Sequence, residues 1–340
     1  MMNLKEVRAN ARERMKGYCK VCPECDGKAC AGQLPGMGGI GTGASFIANV
    51  AALQKLKLKM RLIHGVTSPD TSCSLFGMTL ALPVLAAPIG GVSFNMGGQL
   101  PEDVYDKAVV EGCRDARILA CTGDGAPDFV FDNGIAAIEA AGGAGIPFIK
   151  PWENPALFAK MERAANAGCK AVGVDIDAAG IITLAKMGRP VFPRTPDELT
   201  VIADKAHSLG MKFILKGLMC PEDTVQAKKS GCDAIVVSNH GGRALDATPG
   251  TAEVLPSIAK VAEGMTVLVD GGIRSGNDIL KMLALGADAV LIGRPIIIGA
   301  MGGEKEGVRE TLGKLKRGLI SAMILTGCPS VREAGEHLLV

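Results

Sequence analysis

Cys232-Asp233-Ala234-Ile235-Val236-Val237-Ser238-Asn239-His240-Gly241-Gly242-Arg243 joins an unbroken apolar run to a histidine, two glycines and an arginine. A short run this rich in β-branched residues, with Gly231 in front of it, predicts a strand buried on both faces, as in a parallel sheet. The residues that follow then project from the strand's C-terminal end, where two glycines let a planar ligand approach the backbone. A histidine beside a fixed cation suits removal of a proton from a substrate that carries a carboxylate. Taken alone, the same letters also describe a strand end, a turn and a solvated arginine.

The pattern recurs on both sides. Apolar runs predict strands at 83–88, 117–121, 147–150, 171–175, 212–216, 234–238, 266–270 and 289–293. Between them, amphipathic stretches predict helices at 102–111, 128–141, 155–167, 196–209, 221–230, 252–262 and 276–285, with a last one at 306–325. Proline at or near several helix starts suits the first turn, where its missing N–H costs nothing. Eight strand–helix units without a long antiparallel stretch predict an α/β chain closed as a (β/α)8 TIM barrel over 81–340, preceded by a Cys-rich N-terminal extension and lead-in over 1–80. A doubly wound open sheet would want a Gly-rich dinucleotide turn after its first strand, and Pro88-Ile89-Gly90-Gly91-Val92-Ser93 does not have that form.

Strand ends of such a barrel converge on one face, where active sites sit. The ionisable residues at those ends are Lys150, Asp175, Lys216, His240, Asp270 and Arg294. Six such groups at one place in six units point to an enzyme. After the seventh strand, Asp270-Gly271-Gly272-Ile273-Arg274-Ser275-Gly276 offers glycine N–H groups and a cation, and Ile292-Gly293-Arg294-Pro295 repeats the device after the eighth. Barrels commonly hold a phosphate at these two loops.

Composition bounds the rest. Of 340 residues, 48% are hydrophobic and 21% charged, which marks a globular chain with ample core. There is no apolar run of roughly 18 residues, and the charged N-terminus does not read as a secretory signal, so no membrane association is expected. A net charge of +2 gives no electrostatic case for nucleic acid, and 4% aromatics argue against base-stacking platforms. Eleven cysteines, an odd number, fit reduced thiols and a cytoplasmic location better than a disulfide framework. A homo-oligomer is expected.

Ile214-Leu215-Lys216-Gly217, the segment 238–243, the segment 270–276 and Ile292-Gly293-Arg294-Pro295 together resemble the FMN-dependent α-hydroxy acid oxidase/dehydrogenase family, to which glycolate oxidase and L-lactate oxidase belong. The likeness extends to 82–88, to Met323-Ile324-Leu325-Thr326-Gly327-Cys328 and, more loosely, to 38–49. It implies an FMN enzyme that oxidises a 2-hydroxy acid or related alcohol to the 2-oxo product, with a hydride equivalent passing to the flavin. By the same likeness His240 is the catalytic base and Asp175 stabilises its imidazolium form. Lys216 lies beside N1 of the flavin and Arg243 holds the substrate carboxylate. Ser238, Asp270, Gly271, Gly272, Arg274, Gly293 and Arg294, with Lys216, make the FMN site.

Three family positions differ. The family's N-terminal tyrosine falls near Pro35, Ile149-Lys150-Pro151 replaces Gln-Leu-Tyr, and the second carboxylate-binding arginine aligns near Ile182. One bidentate arginine still binds a carboxylate, with Lys150 or Arg189 as helpers. The electron acceptor is left unknown. Rival readings are a non-redox FMN enzyme resembling type 2 isopentenyl diphosphate isomerase, a flavin-free nucleotide dehydrogenase and a flavin electron-transfer protein. The His240/Arg243 pair argues against the first of these, and the absence of a cysteine from 241–246 against the second.

Cys19-x2-Cys22-x2-Cys25-x4-Cys30 precedes the barrel, outside the resemblance. Four thiolates within twelve residues suit a [4Fe–4S] cluster or zinc, although the last gap is one residue longer than in the ferredoxin run. The alternative is a reduced loop packed beneath the barrel.

Overall fold

The computed structural model describes residues 2–340 except 181–183, 185, 186 and 190. Strands β1 (Cys73–Leu75) and β2 (Met78–Leu80) form an antiparallel hairpin. Strands β3 (Val84–Ile89), β4 (Leu119–Thr122), β5 (Gly145–Ile149), β6 (Ala171–Asp175), β7 (Lys212–Leu218), β8 (Ala234–Val237), β9 (Thr266–Val269) and β10 (Ala289–Ile292) close a parallel barrel, with β10 pairing back to β3. The eight predicted strands and their intervening helices are present. Ends shift by a residue or two: β4 starts at Leu119 rather than 117 because Arg117 takes a left-handed φ of +57°. The last helix is longer than predicted, running from Arg294 to Thr326 across a break at Gly303 and Glu304. Among the described residues, no helix is long and apolar enough to cross a membrane.

Side chains alternate across a strand, so every second residue of each strand enters the barrel. Leu85, Leu119, Cys121, Ile146, Phe148, Ala171, Ile214, Ala234, Val236, Leu268, Ala289 and Leu291 meet there as one cluster. Gly173 is the small partner that lets the Phe148 ring cross, since a Cβ on it would lie 2.4 Å from that ring. Leu75 and Leu80 of the hairpin belong to the same cluster. Ala81 donates to the Arg117 carbonyl just ahead of β4, so the hairpin plugs the N-terminal end of the barrel.

The chain ahead of the barrel wraps it. Helix α1 (Leu4–Arg14) docks on the helix that follows β10, with Asn10 and Arg14 donating to the carbonyls of Gly302 and Met301. Helix α2 (Ala44–Lys55) lies against the loop after β8. There Asn49 and Asn239 exchange amide hydrogen bonds at 2.8 and 3.2 Å, and Ile40 donates to the Gly242 carbonyl. Gly242 has no alternative: φ is +81°, and a Cβ would sit 2.3 Å from the Phe46 nitrogen.

Asp106 lies buried in the helix Glu102–Asp115 with one carboxyl oxygen lacking a partner. Burial, then the nearby Glu102 and Asp103 carboxyls, push it well above the ordinary carboxylate range. A carboxyl raised in the native state costs stability as pH rises above its unfolded value, because the unfolded chain ionises more readily. Asp106→Asn should therefore raise the denaturant midpoint near neutral pH, by on the order of 1 kcal/mol, and the gain should vanish below the unfolded carboxylate range. Paired urea melts at acid and neutral pH check both parts.

Candidate active site

The same alternation that fills the barrel builds the site. Two residues beyond Phe148, Gly173, Ile214, Val236 and Leu268 stand Lys150, Asp175, Lys216, Ser238 and Asp270, all buried at the C-terminal mouth. Lys150 Nζ lies 2.5 Å and Lys216 Nζ 2.9 Å from the two oxygens of Asp175. Lys216 also stands 3.7 Å from Asp177 and 4.0 Å from Asp270. Burial alone would depress this ammonium, but the Asp175, Asp177 and Asp270 carboxylates outweigh it and hold Lys216 above its ordinary value. Burial would likewise raise Asp175, yet Lys150, Lys216 and His240 keep it well below the usual carboxylate range. Asp270 is raised, burial prevailing over Lys216 and the Ser238 hydroxyl that donates to it at 2.8 Å.

His240 Nδ1 lies 2.9 Å from Asp177 Oδ1 and 3.6 Å from Asp175 Oδ1. A second carboxylate thus joins the expected Asp175 at the imidazole. Asp175 is held by two lysines, while Asp177, on the turn after β6, reaches the imidazole. The sequence carried a signal for it: Asp175-Ile176-Asp177 places a second carboxylate two residues past the first. Asp177→Asn should cut turnover about tenfold or more while leaving the fold intact, because the amide no longer fixes the tautomer. Steady-state kinetics beside a thermal melt tests this.

His240 is itself left-handed at φ +57°, followed by Gly241 at +61° and Gly242 at +81°. Histidine tolerates that region better than bulkier residues, and the surrounding contacts impose it. The Ser238 hydroxyl accepts from the His240 N–H at 3.1 Å, and Asn239 accepts from the Gly242 N–H at 3.1 Å. The imidazole stays one-fifth exposed, with Nδ1 committed to carboxylate.

Arg243 anchors one nitrogen, Nη1, on the carbonyls of Gly36 and Gly38 at 2.5 and 3.1 Å. Burial lowers it to about 10. Its Nε–Nη2 edge has no protein partner among the described residues. Lys150, expected as a substrate contact, gives one of its three donors to Asp175. Arg189 donates to the Ala126 carbonyl and stacks over Trp152 at 4.6 Å. Ile182 lies outside the described residues.

Beneath Lys150 is a support that the sequence did not disclose. Asp124 accepts from the Lys150 and Gly125 N–H groups at 3.0 and 2.9 Å, and from Trp152 Nε1 and Lys160 Nζ, both at 2.6 Å.

Arg274 and Arg294 stand at the corner formed by the loops after β9 and β10. Each has a buried Nη2 without a partner. Arg294 donates Nε to the Met37 carbonyl and lies 3.6 Å over the Phe46 ring. Burial, with the like charge of Arg274 next, lowers it to about 9. Two guanidiniums that face no carboxylate among the described residues, with buried donors to spare, call for an anion. Next to them Ala87, Pro88, Ile89, Gly90 and Gly293 are only half-buried, and a Cβ on Gly293 would meet nothing nearer than 3.7 Å. A phosphate at the corner and a flat ring over the ends of β3 and β10 fit these residues.

The family model for FMN-dependent dehydrogenases matches residues 36–201 and 192–340. The 4-hydroxymandelate oxidase of Amycolatopsis orientalis is 33% identical, over 87% of this chain and 90% of its own length. The L-lactate oxidase of Lacticaseibacillus rhamnosus (strain LMS2-1) is 30% identical over 86% and 84%. A solved structure of a mandelate oxidase mutant with the C4a-OH-FMN adduct superposes with a TM-score of 0.75 at 29% identity, covering 98% of each chain.

Proposed function

The chain belongs to the FMN-dependent dehydrogenase family, and from that membership we propose that it oxidises a 2-hydroxy acid to the 2-oxo acid with FMN, His240 serving as base. The observation that carries this reading is the His240–Asp177 pair set beside a buried lysine and an arginine with a free bidentate edge. When bound, FMN supplies the two-electron acceptor.

Asp177 holds the proton on Nδ1, which leaves Nε2 of His240 to take the substrate proton. The Nε–Nη2 edge of Arg243 matches a carboxylate in two parallel hydrogen bonds and fixes which face of the substrate meets the imidazole. Lys216 places a fixed positive charge at the mouth, where negative charge develops on a reduced ring; the carboxylates of Asp175, Asp177 and Asp270 keep it protonated. Arg274 and Arg294 would bind the phosphate, helped by the glycines of 271–272 and Gly293 and by the start of the helix at Arg294. Ser238 acts through Asp270 and the His240 backbone.

With the family tyrosine replaced by Lys150-Pro151 and Lys150 turned onto Asp175, the wall beside the substrate is built differently here. We read the substrate as a 2-hydroxy acid of the mandelate–lactate range with its side chain set by that wall. The unpaired cysteines support a reducing compartment such as the cytoplasm. Met60, Leu62 and Ile63, exposed by 69, 61 and 98%, support a homo-oligomeric contact.

Anaerobic addition of 4-hydroxymandelate, mandelate, L-lactate or glycolate to FMN-loaded protein should bleach the flavin absorbance, with the 2-oxo acid recovered in equal amount. Bleaching by dithionite but by no 2-hydroxy acid would overturn the reading.

A further inference from the structure

The family-model match begins at residue 36, so Cys19, Cys22, Cys25 and Cys30 lie ahead of the matched segment. They are not a loose tail. All four are free thiols, all are partly buried, and all line one cavity together with Met37 and Arg294.

The loop is held from outside by its carbonyls. Arg8 donates to Val21 and Cys22, Arg12 to Lys20 and Val21, and Arg274 to Cys25. Lys20 closes the loop on the Ala29 carbonyl at 2.7 Å. Pinning the carbonyls outward leaves the thiols to the cavity. Val21 is fully buried and left-handed at φ +44°, a conformation that a β-branched residue rarely adopts without being compelled. That kink brings the Val21 N–H to 3.4 Å from Cys19 Sγ, a hydrogen bond that favours a thiolate. Four thiolates lining one cavity would repel one another unless cations intervene.

We propose that Cys19, Cys22, Cys25 and Cys30 ligate a [4Fe–4S] cluster, seated against Arg294 beside the phosphate corner of the flavin site. The chain spacing is one residue from a ferredoxin run. Geometry separates the cluster from zinc. A tetrahedral ion with Zn–S of about 2.3 Å draws its thiolates to roughly 3.8 Å from one another. Among the described residues, only Asp175, Asp177 and His240 bring three ligand atoms within 4.8 Å. Among the described residues no three of the four thiols converge within that distance; they line the cavity instead of meeting at one point. The site is also cationic: Arg294 lines it, and Arg8, Arg12 and Arg274 hold its rim, which suits a cluster of net negative charge.

The test uses the full chain, purified without oxygen and incubated with ferrous iron and sulfide. About four iron and four acid-labile sulfide per chain, with an electron paramagnetic signal after dithionite, are expected. Cys22→Ser with Cys25→Ser should lose the iron and the signal, while FMN content and the melt of the barrel stay near those of the unmodified protein. Cys220→Ser, remote from the cavity, should keep the iron. Four titratable thiols with no iron uptake by the unmodified protein, one zinc per chain in place of iron, or a Cys–Cys disulfide in the anaerobic protein would each overturn the proposal. Iron content is read without substrate, so failure here leaves the 2-hydroxy acid reading untouched, and failure of that reading leaves the iron result standing.

Discussion

His240→Ala should give a folded, yellow protein whose flavin no 2-hydroxy acid reduces at a useful rate. A positioned base contributes about 10²–10⁴-fold, and no carboxylate at the mouth among the described residues is free to replace it. Asp175 is held by two lysines, Asp177 faces Nδ1 rather than the cleft, and Asp270 is tied to Ser238. FMN should stay bound, since Arg274 and Arg294 are untouched. Alanine at φ +57° costs on the order of 1 kcal/mol, so His240→Asn serves as a control that accepts the left-handed backbone and should be equally inactive. Stopped-flow reduction under nitrogen reads the loss directly, and a rate within a few-fold of the unmodified protein would remove His240 from the mechanism.

The largest effect on stability should come from Asp124→Ala, a loss of about 3–5 kcal/mol. The carboxylate takes four hydrogen bonds just past the end of β4, one from the buried Lys160 ammonium. Its removal leaves that charge buried beneath the Phe131 and Trp152 rings with no counterion. Adding Lys160→Met should recover part of the loss, because a flexible apolar chain fills the same space without a charge to desolvate. Urea melts of the two single variants and the double variant measure the coupling. Additive losses would show that the pair does not act as a unit.

The barrel was legible because its strands are buried on both faces, which writes them as continuous apolar runs between glycines. The site's floor was legible for a related reason: a polar residue directly after such a run has nowhere to go but the mouth. That logic found Lys150, Asp175, Lys216, His240 and Asp270. It missed Asp177, which stands on a turn where the two-residue alternation no longer dictates direction, and which lies nearer His240 Nδ1 than Asp175 does. It missed Asp124 because a buried carboxylate is marked only by its donors, and Lys160 stands 36 residues along the chain. The roles of Phe46 and Asn49 were hidden more deeply. Their partners, Arg294 and Asn239, stand far along the chain, and no local pattern records such a pairing.

The wrapping of the barrel by its leading residues has a consequence for assembly. Arg274 reaches the Cys25 carbonyl across 249 residues, and Arg294 reaches Met37 across 257. On a ribosome the thiol loop therefore emerges long before the arginines that will seat it, and it must wait, solvent-exposed, while most of the barrel is made. Contacts of such separation carry a large loop-closure cost and form late in folding. Seven of the barrel's eight strand pairings join neighbours in sequence, but the closing β10–β3 pair spans the chain much as these contacts do, and the layer over the mouth can seat only once that closure has formed the mouth it covers. The final event in maturation is then a clasp that shuts over an already formed mouth, after which a flavin phosphate held by the same arginines would leave only when the clasp reopens.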